Sequence, residues 1–187
     1  MQKILNKLQT TYSFSEREIS LIRYGIEAVL GEISKCLLML AYFHILGYTL
    51  EFLVGLTILL LLRRNTGGLH MKHYWSCFLF TFVFMNIAIL ILPAFVTISK
   101  VEMCLILLLC IVITLQIGPV HAKFIKNPNE LLIKKSKLQV SYILTIYLVI
   151  TIFLPINKYL CIGFWVILLQ TIQLIIAKNK EVKLYEN

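Results

Sequence analysis

From residue 25 to residue 177 the chain is a succession of apolar runs, each long enough or nearly so to cross a lipid bilayer, with no interval wide enough to hold a soluble core. A mean hydropathy of +0.86 and a charged fraction of only 14% lie far outside the range of soluble domains. The expected fold is all-α, a polytopic membrane protein with about six transmembrane helices and an N-terminal amphipathic segment. The helices are expected at about 25–46, 48–62, 76–98, 101–119, 138–156 and 159–177. Residues 1–187 then form one integral membrane domain: an interfacial arm over 1–24, a helix bundle over 25–177 and a cytoplasmic tail over 178–187. The second helix is short. Fifteen or so residues rise roughly 22 Å, which implies local thinning of the bilayer or partial cover by protein.

The N-terminal stretch lacks the continuous apolar core and small-residue cleavage pattern of a secretory signal, so it is expected to be retained. Its Lys3, Ile4, Leu5, Lys7 and Leu8 suit a position along the membrane surface. Ser15 and Glu18 have capping-box spacing, so this leader can run straight into the first membrane helix.

Lysine and arginine set the expected orientation. Lys3, Lys7, Arg17 and Arg23 precede the first helix; Arg63, Arg64 and Lys72 lie after the second; Lys123, Lys126, Lys134, Lys135 and Lys137 lie after the fourth; Lys178, Lys180 and Lys183 close the chain. Together they are fifteen of the eighteen basic residues, against Lys100 and Lys158 on the opposite side and Lys35 within the first helix. By the positive-inside rule both termini face the cytoplasm. The net charge of +9 is thus a matter of topology, and no basic soluble module exists that would serve a nucleic acid.

The five cysteines are odd in number and scattered, so they form no disulfide framework. Cys36, Cys104, Cys110 and Cys161 lie in apolar runs and read as small packing residues. Cys77 stands instead at a polar boundary. Two stretches, "LILPAFVTISKVEMC" and "IFLPINKYLC", echo each other as hairpins with proline near a helix end.

Between the second and third runs, His70, His73 and Cys77 crowd one polar gap, and three readings fit them. They can be interfacial structural residues. They can be metal ligands, although no nearby side chain supplies a fourth, and no metal or other cofactor is expected. They can also be a cysteine nucleophile with a histidine base. A free thiol is little ionised at neutral pH. Arg63, Arg64, Lys72 and the start of a helix near Ser76 supply positive charge that favours a thiolate. In one continuous helix His73 is the nearer base, four residues from Cys77, while His70 sits roughly 10 Å away along the axis. A turn at Gly67-Gly68 reverses that order, because glycine permits the positive φ of a tight turn. The chain contains no aspartate, which excludes a Cys-His-Asp triad.

The stretch "LLRRNTGGLHMKHYWSC" joins Arg-Arg after an apolar helix to Gly-x-His and a cysteine seven residues on. In this it resembles the accessory gene regulator B (AgrB) family of membrane cysteine endopeptidases. "RYGIEAVLGEISKCLLM" resembles the family's first membrane segment, and "GPVHAKFIKNP" with "KKSK" its basic cytoplasmic loop. The resemblance implies that Cys77 is the nucleophile and His70 the general base, with His73 outside the motif and Arg63, Arg64, Gly67 and Gly68 forming the active-site loop. It also implies a bacterial cell-membrane enzyme that cuts a short precursor peptide through an acyl-enzyme thioester. The product is a cyclic (thio)lactone quorum-sensing signal. The expected partners are that peptide, membrane lipid and a second copy of the chain in a homodimer.

Lys134, Lys135 and Lys137, with Arg63 and Arg64, suit an acidic peptide tail as well as topology. Glu27 and Glu32 lie at membrane depth, where ionisable groups usually face a bundle interior or cavity. Glu32 can pair with Lys35 at i, i+3, and Glu27 can orient His70. The alternative from another class is a non-enzymatic peptide exporter or membrane scaffold whose gap residues only shape a gate.

Overall fold

The computed structural model of the chain describes residues 16–67, 74–119 and 130–185, all of whose regular structure is helical. We label the helices α1 (Glu16–Ile45), α2 (Thr49–Thr66), α3 (Tyr74–Phe95), α4 (Lys100–Ile117), α5 (Glu130–Phe153) and α6 (Lys158–Tyr185). Among the described residues four helices are long and apolar enough to cross a membrane: α3, α4, α5 and the Lys158–Asn179 part of α6. Helix α2 has 18 residues. Glu51 near its start and Arg63-Arg64 near its end leave only residues 52–62 between them uncharged.

The chain divides into two compact units, Met1–Ile45 and Leu46–Asn187. In the first, α1 is described as one unbroken helix of 30 residues from Glu16 to Ile45. The expected ion pair is present: Lys35 Nζ donates to Glu32 Oε1 at 2.7 Å. Lys35 is buried and Glu32 exposed, so a one-turn contact neutralises a lysine that would otherwise be costly to bury.

The second unit is built around α6. Its membrane-length part is 67% buried, against 28% or less for α3, α4 and α5. Helices α2 and α4 pack on α6, and α5 packs on α2 and α4. Glycine permits the closest approaches. A Cβ on Gly163 of α6 would stand 2.6 Å from Ile58 Cδ1 and 2.9 Å from the Tyr147 ring. The tyrosine cannot swing aside without losing its hydrogen bond from the hydroxyl to Leu160 O, 2.6 Å long. In lipid, where burial gives helices little net hydrophobic drive, such close packing and interhelical hydrogen bonds carry the association.

Helix α3 widens at Ile87–Ile91 into a π-helical turn in which Leu92 N–H bonds Ile87 O, five residues back. The cause is next in the chain: Pro93 has no N–H to donate to Ile89. The widened turn buries Ala88 and Ile89 and packs against α6 and α2. Beyond Pro93 and Pro155, polar caps start the next helices. Ser99 and Glu102 form a capping box at the head of α4, and Asn157 Oδ1 accepts from Leu160 N–H at 2.9 Å at the head of α6. Beside that head, the exposed Lys158 forms an ion pair with the buried Glu51 at 2.5 Å.

Helix bounds differ from expectation at the basic ends. Helix α5 begins at Glu130 rather than near 138, so Lys134, Lys135 and Lys137 are helical. Helix α6 continues to Tyr185, through most of the expected tail. Lysine, leucine and glutamate are good helix formers, and leaving the apolar layer does not by itself end a helix.

Candidate functional site

The last turn of α2 is bound to α6 by side-chain amides. Gln170, in the buried interior of α6, donates from Nε2 to Thr66 Oγ1 at 3.2 Å and to Gly67 O at 3.3 Å. One turn on, Gln173 Oε1 accepts from Arg63 Nη2 at 3.2 Å. Thr66 is 3% exposed, and its hydroxyl also donates to Leu62 O at 3.0 Å and to Gly67 O at 3.1 Å. Thr66 and Gln170, with Thr114 of α4 and Thr171 of α6, line a small cavity closed by Leu62, Val140, Leu144 and Leu174. A polar layer therefore crosses the bundle at the level where α2 ends. Glu51, fifteen residues before Thr66 on α2, meets Lys158 at the opposite end. The two lie roughly 22 Å apart along the helix.

Gly67 ends α2. Its φ of 70° and ψ of −152° fall in a region that only glycine occupies readily, and its N–H still bonds Arg63 O at 2.9 Å. Residues 66–77 are therefore not one continuous helix. Gly118 ends α4 in nearly the same way, with φ 71° and ψ −176°. The methylene stem of Lys137 lies against it. Thr66, Thr114, Gly118 and Lys137 line a common pocket, so α2 and α4 end in the same layer.

Cys77 lies in the first turn of α3, half-buried, and its carbonyl accepts from Thr81 Oγ1 at 3.0 Å. Just ahead of it Tyr74 and Trp75 are exposed and meet edge to face, with ring centroids 5.5 Å apart. Exposed tyrosine and tryptophan at a helix start mark the level where a membrane meets water. Cys77 thus stands within one turn of that level.

The structure separates residues that the sequence grouped. Arg63 is half-buried and held by Gln173, whereas Arg64 is exposed. Lys134 and Lys135 are exposed, whereas Lys137 is half-buried over Gly118. The Glu32 carboxylate is engaged with Lys35 on its own helix. Gly68, His70 and His73 lie outside the described residues, as do the N-terminal arm before Glu16 and the Glu27 side chain. Gln170 and Gln173 were not anticipated. The signal was available: two amides at i, i+3 in an otherwise apolar span need partners inside the bundle.

An all-helical bundle with four apolar helices of membrane length is the architecture of a multi-pass membrane protein. The accessory gene regulator B family matches residues 1–174, and the chain belongs to that family. An AgrB-like protein of Clostridium beijerinckii is 27% identical over 172 residues, which cover 90% of this chain and 82% of the relative. No solved structure matches the chain. Family membership gives the protein a role in the accessory gene regulator system.

Proposed function

We propose that the protein is a membrane cysteine endopeptidase that cuts a short precursor peptide and passes its N-terminal part to an internal nucleophile, closing a (thio)lactone signal. The observation that carries this is the broken helix: α2 stops at Gly67 with positive φ and Cys77 opens a separate helix at the aromatic boundary. With Gly67 outside the helix, the turn that the Gly-x-His-x6-Cys motif implies has a place in the chain, and the assignment of His70 as the base rests on that motif.

In the proposed reaction His70 takes the Cys77 thiol proton and the thiolate attacks the scissile carbonyl. The C–N bond breaks, and His70 returns the proton to the departing amine. The N-terminal fragment is then a thioester on Cys77. Attack on it by the peptide's own cysteine or serine frees the Cys77 sulfur and closes the ring. Making a thioester from an amide is uphill, so ring closure or removal of the released fragment draws the first step forward. A site at the membrane boundary favours the internal nucleophile by proximity and by limiting water. The exposed Arg64, Lys134 and Lys135 suit an acidic peptide tail. Arg63 has a structural partner in Gln173.

Acid quenching of the purified protein with its precursor should trap the N-terminal fragment on Cys77, in a form that hydroxylamine removes. Absence of any adduct, or its presence on another cysteine, would sink the proposal.

We further propose that α1 and α2 complete six spans with both termini cytoplasmic, on the strength of the lysine and arginine distribution. Impermeant thiol labelling of single cysteines introduced at positions 64 and 134 should fail in intact cells, and at positions 97 and 156 should succeed. Labelling at 134 from outside would overturn the orientation.

A further inference from the structure

We propose that Gln170 is a positioning residue for this chemistry: its side-chain amide holds the Thr66 hydroxyl and the Gly67 carbonyl, the last groups of α2 before the chain leaves for His70. The inference rests on the peptidase reading above and names a residue outside the His-Cys motif.

Gln170 is 2% exposed and lies in the most buried helix of the bundle. A primary amide at that depth is expensive unless hydrogen-bonded, and an apolar side chain would fill the same space without that demand. Both Nε2 bonds go to one place, the terminus of α2. Gln173 adds a third bond to the same turn through Arg63. Three of the last five residues of that segment, Arg63, Thr66 and Gly67, are thereby tied to α6.

What the bonds fix is a direction. The Gly67 carbonyl oxygen lies in the peptide plane that also holds the next nitrogen, so holding the oxygen sets ψ of Gly67 and the course of the chain beyond it. Two glycines in succession, Gly67 and Gly68, otherwise leave that course unusually free. His70 follows only three residues after Gly67. An error of about 1 Å in placing a catalytic group can lower a rate about a hundredfold. Gln170 touches no reacting atom in this scheme and acts through the backbone of Gly67.

The test uses the full-length protein in lipid nanodiscs with its precursor peptide and measures kcat and KM per active site, titrated through the thioester. Gln170→Met keeps the side chain's length and removes its hydrogen bonds. It should lower kcat about ten- to a hundredfold and change KM less than about threefold. Gln170→Glu, which keeps the shape and loses the donors, should fall with it. Thr66→Val removes one of the two acceptors and should also lower kcat, and Thr66→Ser should restore most of the loss. A Gln170→Met protein with wild-type kcat per active site overturns the inference, even if less of it folds. Should that variant fail to insert, the threonine pair decides: equal kcat for valine and serine overturns the inference, and a serine advantage supports it. Cys77→Ala measured alongside separates the two proposals. Cleavage by Cys77→Ala sinks the peptidase reading itself, whereas an inert Cys77→Ala beside a fully active Gln170→Met sinks only the role of Gln170.

Discussion

Cys77→Ala should abolish processing of a co-expressed precursor peptide while the protein continues to insert and accumulate. Alanine suits the first turn of α3 on propensity, and the side chain it replaces is small and only half-buried, so the fold should tolerate the change. The chemistry should not. Without the sulfur there is no thioester, and removing the nucleophile of a serine protease lowers kcat by about a millionfold, the scale expected here if the proposed mechanism holds. The other four cysteines serve as controls. Cys36, Cys104 and Cys161 are half-buried, and Cys110 is packed in the interior of α4. Alanine at Cys110 should lower stability by roughly 1 kcal/mol through a small cavity and leave cleavage largely intact. Mass spectrometry of the released peptide reads both outcomes. Wild-type amounts of product from Cys77→Ala would mean that the protein does not cut by the mechanism proposed.

The sequence made some of this architecture legible because the membrane imposes simple rules. Long apolar runs must become helices, and they did. Glu32 and Lys35 had to meet or be exposed, since an unpaired ion at depth is too costly, and the spacing of three made pairing possible. The second helix was expected to stop at residue 62, before Arg63; instead α2 runs on through Arg63-Arg64 to Thr66, and a polar contact stands near each end: Lys158 against Glu51, and Gln173 against Arg63. Helix ends were harder. Where a helix emerges from lipid its hydropathy changes but its hydrogen bonding need not, so α5 starts among lysines that hydropathy alone assigns to a loop.

The polar layer was hidden for a different reason. Gln170 and Gln173 are uncharged, fit a helix and barely lower the hydropathy of their span. Their meaning comes from Thr66 and Arg63, more than a hundred residues away in sequence. Periodicity places them on α6 but does not say which helix end they meet. Arg63 and Arg64 posed the same difficulty. As neighbours in sequence they looked alike, and only the packing of α2 on α6 assigns one to the interior and the other to the surface. The Gly-x-His motif was visible in the sequence, while the residue we propose positions His70 lies on the last helix of the chain.

Gly67→Val should inactivate the protein more thoroughly than its effect on stability would suggest. The sequence pointed to the glycine pair as the place of a turn, and Gly67 has a positive φ. A φ of 70° with ψ near −152° is essentially closed to a β-branched residue, and forcing it there costs on the order of 1–3 kcal/mol. The alternative is for valine to take helical or extended angles. Either swings the carbonyl away from Gln170 and redirects everything that follows. A few kcal/mol of strain lowers the folded fraction modestly, whereas a redirected segment misplaces the base entirely, so the expected loss of cleavage exceeds about a hundredfold in protein that still inserts. Gly67→Ala, with a smaller barrier to positive φ, should fall between. The histidines give the companion result. His70→Ala should block thioester formation, and His73→Ala should remain near wild type. If His73→Ala is the damaging change and Gly67→Val is mild, then the base lies one helical turn from Cys77 and the break at Gly67 has no part in aiming it.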